Sequence, residues 1–302
     1  MQVRQYQQSN FLLPRIPTTR RQFLHRVTAA GALAIAGDSL LLEPNRPRVV
    51  RRDFWFPRWP ERMNGFTIAL LSDFHYDPYF STHPLHATVP LVNDLRPDLI
   101  VFTGDFVSVP LIEDDEKGAL AAEPCARLLS QMKARHGMWA VLGNHDVYTD
   151  PEHVTRALDA EGIHTLANES VAIERDGARV WLAGVNDVLS RTADLSQTLH
   201  GVPEGEATVL LAHEPDFADV TTKYPVDLQL SGHSHGGQVR IPLLPPLYLP
   251  ELAKKYISGT YRIGGLTVYT NAGIGTVGVP VRFNCPPEIT LLTLRRSLPP
   301  PG

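Results

Sequence analysis

Five short apolar runs in this chain each stop on a cluster of aspartate, histidine or asparagine instead of ordinary turn residues, and that repeated ending restricts the folds open to it. The clusters, in chain order, are Asp73-Phe74-His75, Gly104-Asp105, Gly143-Asn144-His145-Asp146, His213 and Gly232-His233-Ser234-His235. The runs ahead of them, residues 66–72, 99–103, 139–142, 208–212 and 226–230, are rich in leucine and β-branched residues and read as strands, as do 180–184, 266–270 and 289–294. Helical spacing occupies 83–95, 116–135, 152–161 and 192–199. Strand and helix alternate in the first half, whereas the second half carries hairpin signals at Arg175-Asp176-Gly177 and Ile263-Gly264-Gly265. The order predicts an α/β fold of two packed mixed β-sheets flanked by helices. Loops at strand ends are where such folds place their chemistry.

A chain of 302 residues, 43% hydrophobic and 20% charged, is long enough to bury a full core, and its composition excludes disorder and coiled coil. No internal repeat or interdomain linker interrupts the body, so residues 45–298 are expected to form one domain. Cys125 and Cys285 allow one bridge at most, which excludes a disulfide scaffold and a four-cysteine zinc site and leaves their pairing open. Five of the 28 basic residues lie in 1–36, a stretch without an acid, leaving 23 basic against 32 acidic residues in the body. Nucleic acid is not an expected partner for so acidic a body, because duplex binding rests on clustered Lys and Arg.

The first 36 residues resemble a twin-arginine export signal. Arg20-Arg21 precede a short apolar stretch, Val27 to Ala36, and Ala34-Ile35-Ala36 offers small residues at alternate positions for a signal peptidase. Cleavage is expected after Ala36. Asp38 breaks the apolar run short of the roughly 20 residues a membrane span needs. The resemblance implies the twin-arginine machinery as a partner, an exported, periplasmic or cell-envelope location, and a cofactor loaded before export.

The clusters together offer three aspartates, five histidines and one asparagine with no thiolate, which is the chemistry of a metal site for borderline or hard cations. Alternation along an extended segment would put Asp73 and His75, and likewise His233 and His235, on one side. Gly104, Gly143 and Gly232 sit directly before polar groups, where a missing Cβ permits close approach. Taken in series, Asp-x-His, Gly-Asp, Gly-Asn-His-Asp, His and Gly-His-x-His resemble the calcineurin-like metallophosphoesterase superfamily. The likeness runs from Phe66 to Leu294 and includes 95–100 and 286–290. Within the superfamily the chain resembles exported bacterial phosphodiesterases that carry twin-arginine signals and, more distantly, lipid-sugar pyrophosphohydrolases.

The resemblance implies a four-layer metallophosphoesterase sandwich holding two divalent transition metal ions, of Mn, Fe, Zn, Ni or Co. One ion would take Asp73, His75, Asp105 and His235; the other would take Asp105, Asn144, His213 and His233. Asp105 would bridge them, and the nucleophile would be metal-bound hydroxide. His145 would be the catalytic acid at the leaving oxygen, with an orienting role toward Asn144 as the alternative. Many members carry a second acid three residues after the bridging Asp, paired with the catalytic His. Here Ser108 stands there, leaving Asp146 or another carboxylate as candidates for that support.

Two further features bear on substrate. The segment 241–256, with its leucines, prolines, Lys254 and Lys255, reads either as a rim for a lipid-linked or membrane-surface phosphodiester or as a loop packed over the core. Arg282 is a candidate phosphate contact, with a salt bridge to Glu288 as the alternative. A phosphodiesterase is expected. A pyrophosphohydrolase of lipid-linked or nucleotide-sugar substrates and a non-catalytic metal-binding scaffold are the other readings, and His145 beside a full ligand set favours the enzyme.

Overall fold

Two six-stranded sheets face each other across a layer of aliphatic and aromatic side chains in the computed structural model, which describes residues 19–77, 82–109 and 118–297. The first sheet runs β1 (Arg48–Phe56), β12 (Glu288–Arg296), β2 (Phe66–Leu71), β3 (Leu99–Phe102), β4 (Met138–Ala140) and β5 (Ile163–Thr165). The second runs β10 (Gly259–Ile263), β11 (Leu266–Thr270), β9 (Leu228–Ser231), β8 (Thr208–Leu211), β7 (Ala178–Gly184) and β6 (Glu169–Arg175). Strands β2 to β5 are mutually parallel, as are β11, β9, β8 and β7, so the strands that precede the polar clusters release them at a common end within each sheet.

The alternation of side chains along each strand builds three cores. Ile68 and Leu70 of β2 and Val209 and Leu211 of β8 point into the space between the sheets, where Phe54, Phe66, Tyr269 and Leu292 join them. Ala69 and Leu71 face outward onto the helices α2 (Thr82–Leu95), α3 (Ala122–Leu129) and α5 (Pro151–Ala160), while Leu210 and Ala212 meet Leu195 and Phe217 on the opposite side. Helices, sheet, sheet and helices therefore make the four layers. Because the central strands are buried on both faces, they read as continuous apolar runs.

All eight expected strands are present, with ends displaced by a residue or two. Four strands lacked an apolar run of their own, β1, β5, β6 and β10, and these are the four sheet edges. Edge strands expose one face and one row of backbone groups, so they carry charge or stay short; β1 buries only Phe54 and Phe56. The hairpin signals correspond to the β6–β7 and β10–β11 turns. Of the helix expected over 116–135, residues 116 and 117 lie outside the described residues, and the regular helix ends at Leu129. Cys125 and Cys285 are both buried free thiols.

Helix α1 (Arg20–Gly37) contains the arginine pair and buries none of its residues, and the compact body begins at Asp38 with a π-helical turn to Leu42 and a 3-10 turn to Asn45. The helical run Arg20–Asn45 holds an 18-residue window apolar enough to cross a membrane by length and composition. The expectation that Asp38 cuts the run too short is corrected: helical structure continues through it. A signal sequence and an anchor satisfy that test equally.

All three cores are built from residues of the body. Leu292, fully buried between the sheets, is a direct probe of that packing. Leu292→Ala should lower the unfolding free energy by about 3 kcal/mol, measured as a lower urea midpoint with an unchanged slope.

Candidate metal centre

The five polar clusters converge at the end of the seam between the sheets. Asp73 and His75 follow β2, Asp105 follows β3, and Asn144 and His145 open the short helix α4 (Asn144–Thr149) after β4. From the second sheet, His213 follows β8 and His233 and His235 follow β9. The two Nε2 atoms of His75 and His235 lie 2.9 Å apart, and His213 Nε2 lies 3.1 Å from His233 Nδ1. Asp105 Oδ2 stands between the two pairs, 3.4 Å from His75 Nε2 and 3.2 Å from His213 Nε2, and His235 Nε2 is 3.5 Å from Asp73 Oδ1. Asp73, His75 and His235, then His75, Asp105 and His145, then Asp105, His213 and His233 each present ligand atoms within 4.8 Å of one another.

The backbone reaches this arrangement by a route other than the expected one. Asp73, His75, Asp105, His233 and His235 all have left-handed backbone, with φ of 53°, 43°, 57°, 65° and 50°. The expectation of extended segments with alternating side chains is corrected: each motif folds back on itself after its strand. Asp and His tolerate this region better than most residues, and its concentration at one place marks a functional site. Close approach also needs glycine. A Cβ on Gly143 would stand 2.3 Å from Asp105 Oδ1, and one on Gly232 would stand 1.8 Å from Ser72 Oγ and 2.4 Å from Asp73 Oδ2.

Electrostatics prepare the donors for a cation. Burial, against the pull of Asp105, lowers the pKa of His75 to about 3. Burial and the neighbouring His213 lower His233 to about 4, and burial with His75 beside it holds His235 well below the usual histidine range. These rings are neutral at neutral pH, so their lone pairs are available to a metal. At His213 the Asp105 carboxylate outweighs burial and the pKa is raised; at Asp105 the imidazoles, His213 foremost, outweigh burial and the carboxyl is lowered. Burial, reinforced by Asp105, pushes Asp73 up to about 7. His213 Nδ1 contacts Thr103 O at 2.5 Å and His233 Nε2 contacts Glu251 O at 2.8 Å, which turns the opposite nitrogen of each ring toward the centre. Asn144 Oδ1 is buried without a hydrogen-bond partner. The neutral rings of His75, His233 and His235, a shared carboxylate oxygen and an orphaned amide oxygen make a donor set that fits divalent cations.

Three supports were not evident from the motifs. Asp146 does not support the His145 ring; it accepts the backbone N–H of Asp105, Phe106, Val107 and Gly143 at 2.8–3.1 Å and so fastens the two loops together. Burial and the Asp105 carboxylate push its pKa up to about 7, against those donors. The turn Asn271–Gly275 after β11 backs Asp73: Ile274 N–H donates to Ser72 O, Gly275 N–H donates to Asp73 O, and a Cβ on Gly275 would stand 2.0 Å from Phe74 O. Arg282 is the third. It is fully buried, and its guanidinium donates to the carbonyls of Ala272, Gly273, Gly275 and Cys285. The expectation of a phosphate contact is corrected, since those carbonyls occupy the guanidinium away from the cavity, and Glu288 bonds Tyr269 and Thr290 instead.

His145 is half-buried at the edge of a cavity of about 560 Å³ that Asp105, Asn144, His233 and His235 also line. Its Nδ1 accepts the Val109 N–H at 3.1 Å. A backbone N–H can only donate, so the proton of the neutral ring is on Nε2.

A fold with strand-end carboxylates and imidazoles collected at one cavity defines a metal-dependent hydrolase site. Comparison with known proteins agrees. Residues 66–237 match the family model described as calcineurin-like phosphoesterase. The uncharacterized metallophosphoesterase YkuE of Bacillus subtilis is 35% identical over 288 residues, covering 92% of this chain and 98% of that protein. Phosphodiesterase YaeI of Escherichia coli is 30% identical, covering 91% and 99%. A Danio rerio transmembrane protein with metallophosphoesterase domain is 33% identical, covering 92% of this chain and 63% of its own length. The chain belongs to the calcineurin-like phosphoesterase family and is a metal-dependent phosphoric ester hydrolase.

Arg282→Met should destabilise the protein by about 3 kcal/mol or more, because four buried carbonyls each lose a charged donor and only Gly273 O keeps the Glu288 N–H. The substitution should leave the KM of the folded fraction for an aryl phosphodiester unchanged. Calorimetry and steady-state kinetics check the two halves separately.

Proposed function

We propose that this protein is a phosphodiesterase working with two divalent cations from among Mn, Fe, Zn, Ni and Co, and that Asp73, His75, Asp105 and His235 hold one while Asp105, Asn144, His213 and His233 hold the other. The observation that carries the reading is the position of Asp105 Oδ2 between an imidazole of each half-site, beside His145 at an open cavity. Held by these residues, such a pair would neutralise non-bridging phosphoryl oxygens and acidify a water for in-line attack. The relative named phosphodiesterase, similar over nine-tenths of this chain, supports the diester class.

The protein's own groups supply the rest. Asp105 is fixed before substrate arrives: Asp146 holds its backbone N–H, and its Oδ1 accepts the His145 N–H at 2.9 Å. His145 lines the cavity with its ring proton on Nε2, and donates that hydrogen bond to the oxygen of the departing group as charge builds there. The Val109 N–H keeps the ring in this tautomer, where many relatives would use an acid at the position of Ser108. The arginine pair and the apolar run of α1 support delivery to the cell envelope through the twin-arginine route, with the body already folded around its metals.

His145→Ala should lower kcat on an aryl phosphodiester by about 10²–10³-fold, as loss of a donor to a developing oxyanion does, while metal per chain stays at the parental value by elemental analysis. Equal loss of metal and activity would place His145 among the ligands. Chelation followed by dialysis should abolish turnover, and reloading should restore it; turnover that survives complete metal removal would overturn the metal reading.

A further inference from the structure

The mouth of the metal-centre cavity is apolar beyond what a soluble substrate requires. Between the last metal motif and β10, Leu243, Leu244, Leu247 and Tyr248 are 104%, 59%, 68% and 72% exposed, and Val279 on the Ile274–Val281 loop is 60% exposed. Leu247, Tyr248 and Val279 line the cavity itself. The tip is held out by a firm base. Leu243 sits in left-handed backbone at φ 69°, Leu244 N–H closes a turn onto Ile241 O, and Pro246 packs so closely on Gly237 that a Cβ there would stand 2.5 Å away.

Charge around the cavity points the same way. Apart from the candidate ligands, its lining contains Glu251 but neither lysine nor arginine, so phosphates beyond the one held at the proposed cations would meet a carboxylate without a compensating cationic side chain. The cationic groups stand outside. Arg46, Arg48 and Arg240 are exposed, and Arg46 and Arg240 are tied to one junction: Arg46 N–H donates to Glu43 O, Asn284 N–H donates to Glu43 Oε2, and Asn284 Nδ2 donates to Arg240 O. The Asp38–Asn45 segment of that junction packs on the back of the 274–281 loop, where exposed Leu40 and Leu41 share a second cavity with Ile274 and Pro280.

We infer that this mouth faces a lipid bilayer carrying anionic headgroups: the Leu243-Leu244 tip enters the headgroup boundary, the arginines meet lipid phosphates, and the cavity receives a phosphodiester bearing an apolar substituent. Shallow insertion of apolar side chains beside basic ones is the general form of peripheral membrane binding. The substrate half rests on the phosphodiesterase reading; the docking half does not.

A chain beginning at Gly37 tests both, since the body carries its own cores and α1 buries nothing. It should sediment with vesicles of phosphatidylcholine and phosphatidylglycerol. The pair of substitutions Leu243→Glu and Leu244→Glu should weaken that binding by about tenfold or more and lower hydrolysis of a headgroup-labelled phospholipid in the same vesicles. It should leave hydrolysis of a soluble aryl phosphodiester within about twofold, because neither residue lines the cavity. Leu243→Ser with Leu244→Ser serves if the charged pair misfolds. Binding unaffected by either pair, no binding by the parent, or a parent dimer that these substitutions dissociate would overturn the bilayer assignment. A parent that binds vesicles but hydrolyses no soluble diester with metals in place would overturn the phosphodiesterase reading and leave the docking surface standing.

Discussion

Asp105 is an aspartate with almost no access to water, 1% exposed, at a point where two sheets and five loops meet. A carboxylate in such a place is costly unless opposite charge or hydrogen-bond donors surround it. Here one oxygen faces the rings of His75 and His213, one from each sheet, and the other accepts the backbone N–H of His145. That requirement ties the sheets together at their strand ends, where the apolar layer between them stops. It also sets the chemistry, because imidazoles arranged to face a buried carboxylate are already arranged to share a cation with it.

The geometry has a conformational cost. Five candidate ligands are in left-handed backbone, each about 1 kcal/mol or more above the usual regions. Such strain persists only where neighbouring structure leaves the backbone no alternative. Asp146 binds four amides across the Asp105 and Asn144 loops, the Asn271–Gly275 turn bonds the backbone of Ser72 and Asp73, and Arg282 binds the carbonyls of that turn from behind. Each support uses a buried charge or amide whose hydrogen-bonding capacity is spent almost wholly on main chain. Candidate ligands held this way are fixed in place by the chain itself, and a site so fixed can discriminate among cations by geometry where affinity order alone cannot.

This division explains what could be read from the residues alone. The eight buried strands were legible because two-sided burial writes an unbroken apolar run, and the ligand candidates because seven oxygen and nitrogen donors end those runs. β1, β5, β6 and β10 had no run of their own because an edge strand has only half a face to bury. Arg282 was misread because a lone arginine looks the same in sequence whether it meets a phosphate or four carbonyls. Only its complete burial distinguishes them. Asp146 was visible inside its motif, yet its partners are backbone amides some 40 residues earlier, and hydrogen bonds to main chain leave no signature in residue type. The αL conformations were hidden for a related reason: Asp and His at a strand end are compatible with both an extended and a folded-back chain.

The environment of His145 follows from the same economy of donors. Asp146 is committed to the loop amides, and the amide of Val109 occupies His145 Nδ1. An acceptor at that nitrogen would let both ring nitrogens carry protons, whereas a donor there allows only one, on Nε2. A ring held so can stabilise a leaving oxygen by hydrogen bonding, but complete transfer of its single proton would leave an imidazolate beside Asp105. On the proposed reading, charge on the departing oxygen would then be met mainly by bound cations. If His145 takes the proposed role, a phosphoester whose departing oxygen itself tolerates negative charge would suit such a ring best.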